Sequence, residues 1–190
     1  MNEKVKQINH YELIEKSWKN VGFDKYAQIT RTFQNVNVLE SLEFQRRFNG
    51  FYRVRRNKEW QKKYYALMQQ GKKEKLSFER ILRELYLQTG RVEASFASKL
   101  LHTINNDMPI WDKFVLQNLG LKMPVCYGEK KIENAILIYK EIISWYKNAL
   151  SIPEINQKMF EFDEIFPDYK WFSKTKKLDF LLWQMRENNP

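Results

Sequence analysis

The sequence predicts an all-α fold of about eight helices, and three observations carry that expectation. Apolar residues recur at spacings of three and four along nearly the whole chain. Asparagine, serine and glycine stand where those stripes begin and end. Alternating apolar and polar residues, the mark of a half-buried strand, are confined to residues 51–55.

Each element follows from its stripe. Ile14, Trp18 and Val21 share one face of a first helix, and Tyr26, Ile29 and Phe33 one face of a second. Asn57 is an N-cap candidate for a helix carrying Trp60, Tyr64, Leu67 and Met68 and ending at Gly71. Ser77 caps the next, with Phe78, Ile81, Leu82 and Leu85 on its buried face, and Gly90 is placed to stop it in the left-handed conformation. Ala97, Leu100, Leu101 and Ile104 restart the pattern at once, so two helices meet across a tight turn at residues 90–92. A short helix after Pro109 carries Ile110, Phe114 and Leu119 before Gly120. The most regular stripe, Ile132, Ile136, Tyr139, Ile143, Tyr146 and Leu150, reads as a central scaffold helix. Pro153 and Pro167 bracket a further piece, and Leu178, Leu181, Leu182 and Met185 close the chain.

With 190 residues and 43% apolar content the chain can bury its own core. It is expected to form one domain over residues 1–190, or two packed helical lobes, with residues 1–8 as a tail and the protein a monomer. The lone Cys126 leaves no material for a disulfide framework or a four-cysteine metal site. Two histidines and that cysteine are too few for a histidine-rich metal site or a conventional nucleophilic triad, and no phosphate-binding glycine pattern occurs. Neither metal nor cofactor is therefore expected. His102, on a helix with an apolar face, reads as structural rather than as a base. No apolar run approaches the ~20 residues a bilayer requires, and residues 1–10 lack a signal peptide's apolar region, so no membrane partner and a cytoplasmic location are expected.

The charge of +10 is concentrated: residues 46–75 hold 11 basic residues against Glu59 and Glu74, a net +9. Tyr52, Trp60 and other aromatics are interleaved with them. Cations hold phosphates while rings stack on bases, so this composition points to nucleic acid, with Arg53, Arg55, Arg56, Lys62 and Lys63 as a positive surface. A solvated helix face over an aromatic core would produce the same composition.

Residues 85–121 carry a more specific pattern. A helix, a glycine-containing hairpin and a second helix precede Pro109-Ile110-Trp111-Asp112, then Val115, then Leu119-Gly120-Leu121. This run resembles the helix-hairpin-helix DNA glycosylase superfamily, whose members place a proline loop and an aspartate after the hairpin. The resemblance implies double-stranded DNA as partner, backbone phosphate held near Gly90, Arg91, Val92 and Lys99, and Asp112 as the catalytic carboxylate. Tyr52, Trp60 or Trp111 would line the pocket for an everted base. Val92 replaces the hairpin's second glycine, and Ala94 stands where bifunctional members carry a Schiff-base lysine. Lys99 does not substitute for that lysine, because five residues turn a helix by roughly 140°. The enzyme so implied is monofunctional, hydrolysing the base off without cutting the strand. Two other readings stay open: a non-catalytic nucleic-acid-binding helical protein, and a helical interaction module with an acidic partner. Asp112 itself is also a natural first-turn helix residue.

Overall fold

A computed structural model describes residues 22–184, and every described element is helical. There are nine α-helices among them: α1 (Phe23–Phe33), α2 (Leu42–Tyr52), α3 (Lys58–Gln70), α4 (Phe78–Thr89), α5 (Ala94–Ile104), α6 (Lys113–Leu119), α7 (Gly128–Leu150), α8 (Pro153–Ile165) and α9 (Lys174–Gln184), with one 3-10 turn at Pro167–Tyr169. The helix expected around Ile14 and the tail at residues 1–8 lie outside the described residues.

The caps read from sequence do their work. The side chains of Asn57 and Ser77 accept from the backbone N–H groups of Trp60 and Arg80, and Gly90 ends α4 at φ 67°. A Cβ at Gly90 would meet nothing within 4 Å. The glycine is there for its left-handed backbone, and the turn it makes projects into open space.

Three expectations need correction. Residues 51–55 are not a strand: Phe51 and Tyr52 are the last turn of α2, and Arg53 closes that helix in a left-handed conformation, φ 53°. Helix α2 itself was not anticipated, because Leu42 is exposed and Gly50 lies inside the helix. The short helix begins at Lys113, with Ile110 and Trp111 buried in the extended run ahead of it.

Helix α7 spans 23 residues and packs against α4, α8 and α9. Its buried face, from Ile132 to Ala149, anchors the larger apolar cluster. A second cluster is almost wholly aromatic, formed by Tyr26, Phe162, Phe172 and Phe180 with Phe23 against them. Phe51, at the end of α2, packs on both clusters, so they adjoin where α1, α2 and α9 meet. Helices α4 and α5 pack on one another across residues 90–93, and α6 packs on α9. These contacts bring the start of α6, the middle of α5, the end of α2 and α9 around one hollow.

Candidate functional site

That hollow is a cavity of about 410 Å³, within the range of small-molecule sites. Aromatic rings form much of its wall: Phe51 and Tyr52 from α2, Phe96 from α5, Phe114 from α6, and Phe180 and Trp183 from α9. Its charged groups are Lys25, Arg53, Lys99 and Lys176 against Asp112 and Asp179, a cationic excess.

Asp112 is the N-cap of α6, half-buried, with Oδ1 accepting from the Phe114 N–H at 2.8 Å. Capping fixes the carboxylate rather than sealing it, because it lines the cavity and Oδ2 takes no donor among the described residues. The Trp111 N–H, one residue earlier, donates to the buried Ser98 hydroxyl at 2.8 Å, which ties the run before α6 to α5.

Lys99 lines the same cavity. Its Nζ donates to Ser95 Oγ at 3.0 Å and lies 5.2 Å from the Phe96 ring centre, with no carboxylate in ion-pair range among the described residues. Burial lowers its pKa, and the carboxylates of Asp112 and Asp179 only partly oppose that. The resemblance implies that Lys99 lies near backbone phosphate; in the structure Lys99 and Asp112 line the same cavity. The rotation that sets it apart from Ala94 turns it toward this hollow.

On α9, Lys176 Nζ donates to Asp179 Oδ2 at 2.7 Å, both side chains nearly buried, and the Tyr146 hydroxyl donates to Oδ1 at 3.3 Å. The Lys176 ammonium also sits 4.2 Å from the Phe180 ring centre and 4.7 Å from that of Tyr26. The Tyr26 hydroxyl meets His102 Nε2 at 2.8 Å. Because a carbonyl only accepts, the contact of His102 Nδ1 with Met108 O at 2.6 Å puts the ring proton on Nδ1, so Nε2 accepts from Tyr26. Burial, with the Lys176 charge beside it, holds the imidazole neutral with its pKa lowered to about 3. His102 is thus a fully buried structural residue.

A second recess, again about 410 Å³, lies at the hairpin and is almost entirely polar. Arg55, Arg56, Lys63 and Arg91 surround it with Asn57 and Thr89. Arg56 is clamped by Glu93 at 3.0 and 3.1 Å, which ties the segment ahead of α3 to the hairpin. Lys63 pairs with Glu59 and donates to Gln88 O. Arg55 and Arg91 are exposed.

Of the sequence-predicted site residues, Asp112, Lys99, Arg53 and Tyr52 thus line the cavity, and Arg55, Arg56, Lys63, Arg91 and Trp60 the hairpin recess. Gly90 forms the turn beside that recess, and Val92 packs half-buried on the core. Lys62 is exposed and lines neither hollow. Trp111 is buried with its ring parallel to Phe78 and does not line the cavity. Trp60 is stacked on Tyr64 at 4.8 Å. Sequence reasoning missed Lys176 and Asp179, whose one available signal was a pair of opposite charges three apart inside an apolar helical stripe.

Among the described residues no helix is long and apolar enough to cross a membrane, and no group of three or more His, Cys, Asp or Glu is placed to hold a metal. No protein-family model, curated protein or solved structure matches the chain.

Proposed function

We propose that this chain is a DNA-binding, monofunctional DNA glycosylase: it turns a modified or mispaired base out of the duplex into the aromatic cavity and hydrolyses its N-glycosidic bond at Asp112. The observation that carries this reading is the pairing of a fixed, half-buried carboxylate with a ring-lined hollow roomy enough for a nucleobase. Breaking the glycosidic bond builds positive charge on the sugar. The Asp112 carboxylate, oriented through Oδ1 by the Phe114 N–H, would oppose that charge or take the proton of the attacking water through Oδ2. The rings support the everted base by stacking, and Lys25 and Arg53, both exposed where they line the cavity, suit the flanking phosphates.

Arg53 adds a backbone argument. A non-glycine residue at φ 53° costs on the order of 1 kcal/mol, and here it puts a guanidinium at the open side of the cavity. The hairpin recess would hold the duplex backbone through Arg55 and Arg91, the guanidiniums least engaged by protein carboxylates.

The test is incubation with duplexes carrying alkylated, oxidised, deaminated or mispaired bases, followed by alkali, beside filter binding over a range of salt. The expected result is salt-sensitive binding and, on at least one duplex, a strand that breaks only after alkali. Binding without any alkali-labile site would leave a non-catalytic DNA-binding protein. Absence of salt-sensitive binding would leave a helical module for an acidic protein partner.

A further inference from the structure

Two adjacent lysines on α9 make buried ion pairs, and they differ in one respect. Lys177 pairs with Asp163 of α8, donates also to Lys170 O, and lies away from the cavity. Lys176 pairs with Asp179, and both line the cavity. The first pair pins one helix to another. The second joins two residues of the same helix; its one hydrogen bond across the fold is from the Tyr146 hydroxyl, and its ammonium rests against the Tyr26 and Phe51 rings. Burying such a pair costs desolvation that an apolar pair of similar volume would avoid. Because it stands in the cavity wall, this pair also faces what enters the cavity.

The donors and acceptors left over describe that ligand. A carboxylate has about four acceptor sites, and Asp179 uses one per oxygen, on Lys176 and Tyr146, leaving one on each. An ammonium has three donors, and Lys176 commits one, with no second acceptor among the described residues. The dyad therefore offers two adjacent acceptors beside a spare cationic donor. Among the bases, guanine alone carries two neighbouring N–H donors, at N1 and the 2-amino group, next to a carbonyl at O6. Adenine and cytosine present one amino group beside an acceptor, and uracil and thymine a single N–H between two carbonyls.

We propose that Lys176 and Asp179 form a base-reading dyad that selects a guanine-type edge, so that the substrate is a damaged guanine keeping its N1–H and 2-amino group. This rests on the cavity receiving an everted base. Asp179 accepts from N1–H and the amino group, Lys176 donates to O6, and the rings of Phe51 and Phe180 flank the plane. The Tyr52 ring lines the same wall.

The experiment is an NMR titration of the whole chain with four 2′-deoxynucleosides, independent of base release. Deoxyguanosine is expected to bind most tightly and deoxyinosine, lacking only the 2-amino group, about tenfold more weakly, as loss of one hydrogen bond to a charged acceptor implies. Deoxyadenosine and deoxyuridine are expected to be about a hundredfold weaker. Asp179→Asn, which replaces an acceptor oxygen with a donor, should bring guanosine and inosine within twofold of each other. Lys176→Met should weaken both about tenfold and keep their ratio, which preserves the test if one variant fails to fold. Equal affinity for all four nucleosides, no binding of any, or an Asp179→Asn protein that keeps the guanosine preference would each overturn the proposal. Base release from duplexes is scored separately: the nucleoside ranking without release removes the glycosylase reading alone, and release of uracil or an alkylated adenine without the ranking removes the dyad alone.

Discussion

The cavity and the hairpin recess have nearly the same volume and opposite linings. In the recess the cations are at the surface, where water screens them and surface pairs such as Lys63 with Glu59 contribute little. Arg55 and Arg91 stand exposed there. In the cavity the buried charges are expensive, and each is managed individually, while Lys25 and Arg53 remain exposed at its edge. Asp112 is held by a backbone N–H, Lys176 by a carboxylate and rings, and Lys99 has its pKa lowered by burial. A solvated cluster recognises net charge. A desolvated one recognises the position of single donors and acceptors, which is what discrimination between bases needs. Affinity should therefore reside at the hairpin and chemistry in the cavity, and that division can be attacked from either side.

Acid should break the cavity side first. The folded His102 has its pKa lowered to about 3, whereas the unfolded chain takes up that proton near 6.5. The unfolded state thus binds more protons between those values, so stability is fully present above pH 6.5 and falls as pH drops toward 3. The loss is on the order of 4 kcal/mol, read from denaturant midpoints across that window. Protonation would also end acceptance from Tyr26 and place a second cation behind Lys176. His102→Asn should lower stability at neutral pH and remove most of this acid dependence.

Lys99 sharpens the contrast, because the resemblance implies a phosphate contact for a side chain that lines the cavity. Lys99→Met is expected to slow base release about a hundredfold, the scale of one cavity group acting on the reaction. Duplex affinity and its salt slope should change little. A phosphate contact would behave the other way, with weaker binding and an unchanged rate at saturation.

The smallest effect belongs to the recess. Arg55→Gln with Arg91→Gln should weaken duplex binding roughly tenfold and flatten the slope of log affinity against log salt by about 1.8, two contacts' worth. The single-turnover rate at saturating protein should not move. Binding that stays equally steep in salt would place the phosphate surface elsewhere.

What could be read from sequence follows the same division. The caps at Asn57, Ser77 and Gly90 are local chemistry, and the order of helices from α3 to α9 was legible from them and from the apolar stripes. Asp112 was singled out by the resemblance of residues 109–112 to the glycosylase pattern, and the structure makes it the N-cap of α6 rather than a first-turn residue. Helix α2 was not legible, since Gly50 and an exposed Leu42 blur its period. Lys176 and Asp179 were not singled out, since opposite charges three apart on a helix carry no sign of burial. Only the packing of α1, α2 and α9 around the aromatic cluster buries them, and no local pattern encodes that. Trp111 erred in the opposite direction: a tryptophan beside the candidate carboxylate suggests a pocket wall, yet adjacent residues in extended chain point to opposite sides, and this one faces the core.

The measurement that bears most directly on the division between the two sites is single-turnover base release by Asp112→Asn, made beside its duplex affinity on whichever modified-base duplex the unaltered chain processes. The substitution keeps an oxygen to accept from Phe114 N–H and removes the negative charge. Release is expected to fall at least about a thousandfold, with the dissociation constant within about twofold. A rate within tenfold of the unaltered chain, or a loss of binding that accounts for the loss of rate, would contradict the assignment of the chemistry to this carboxylate.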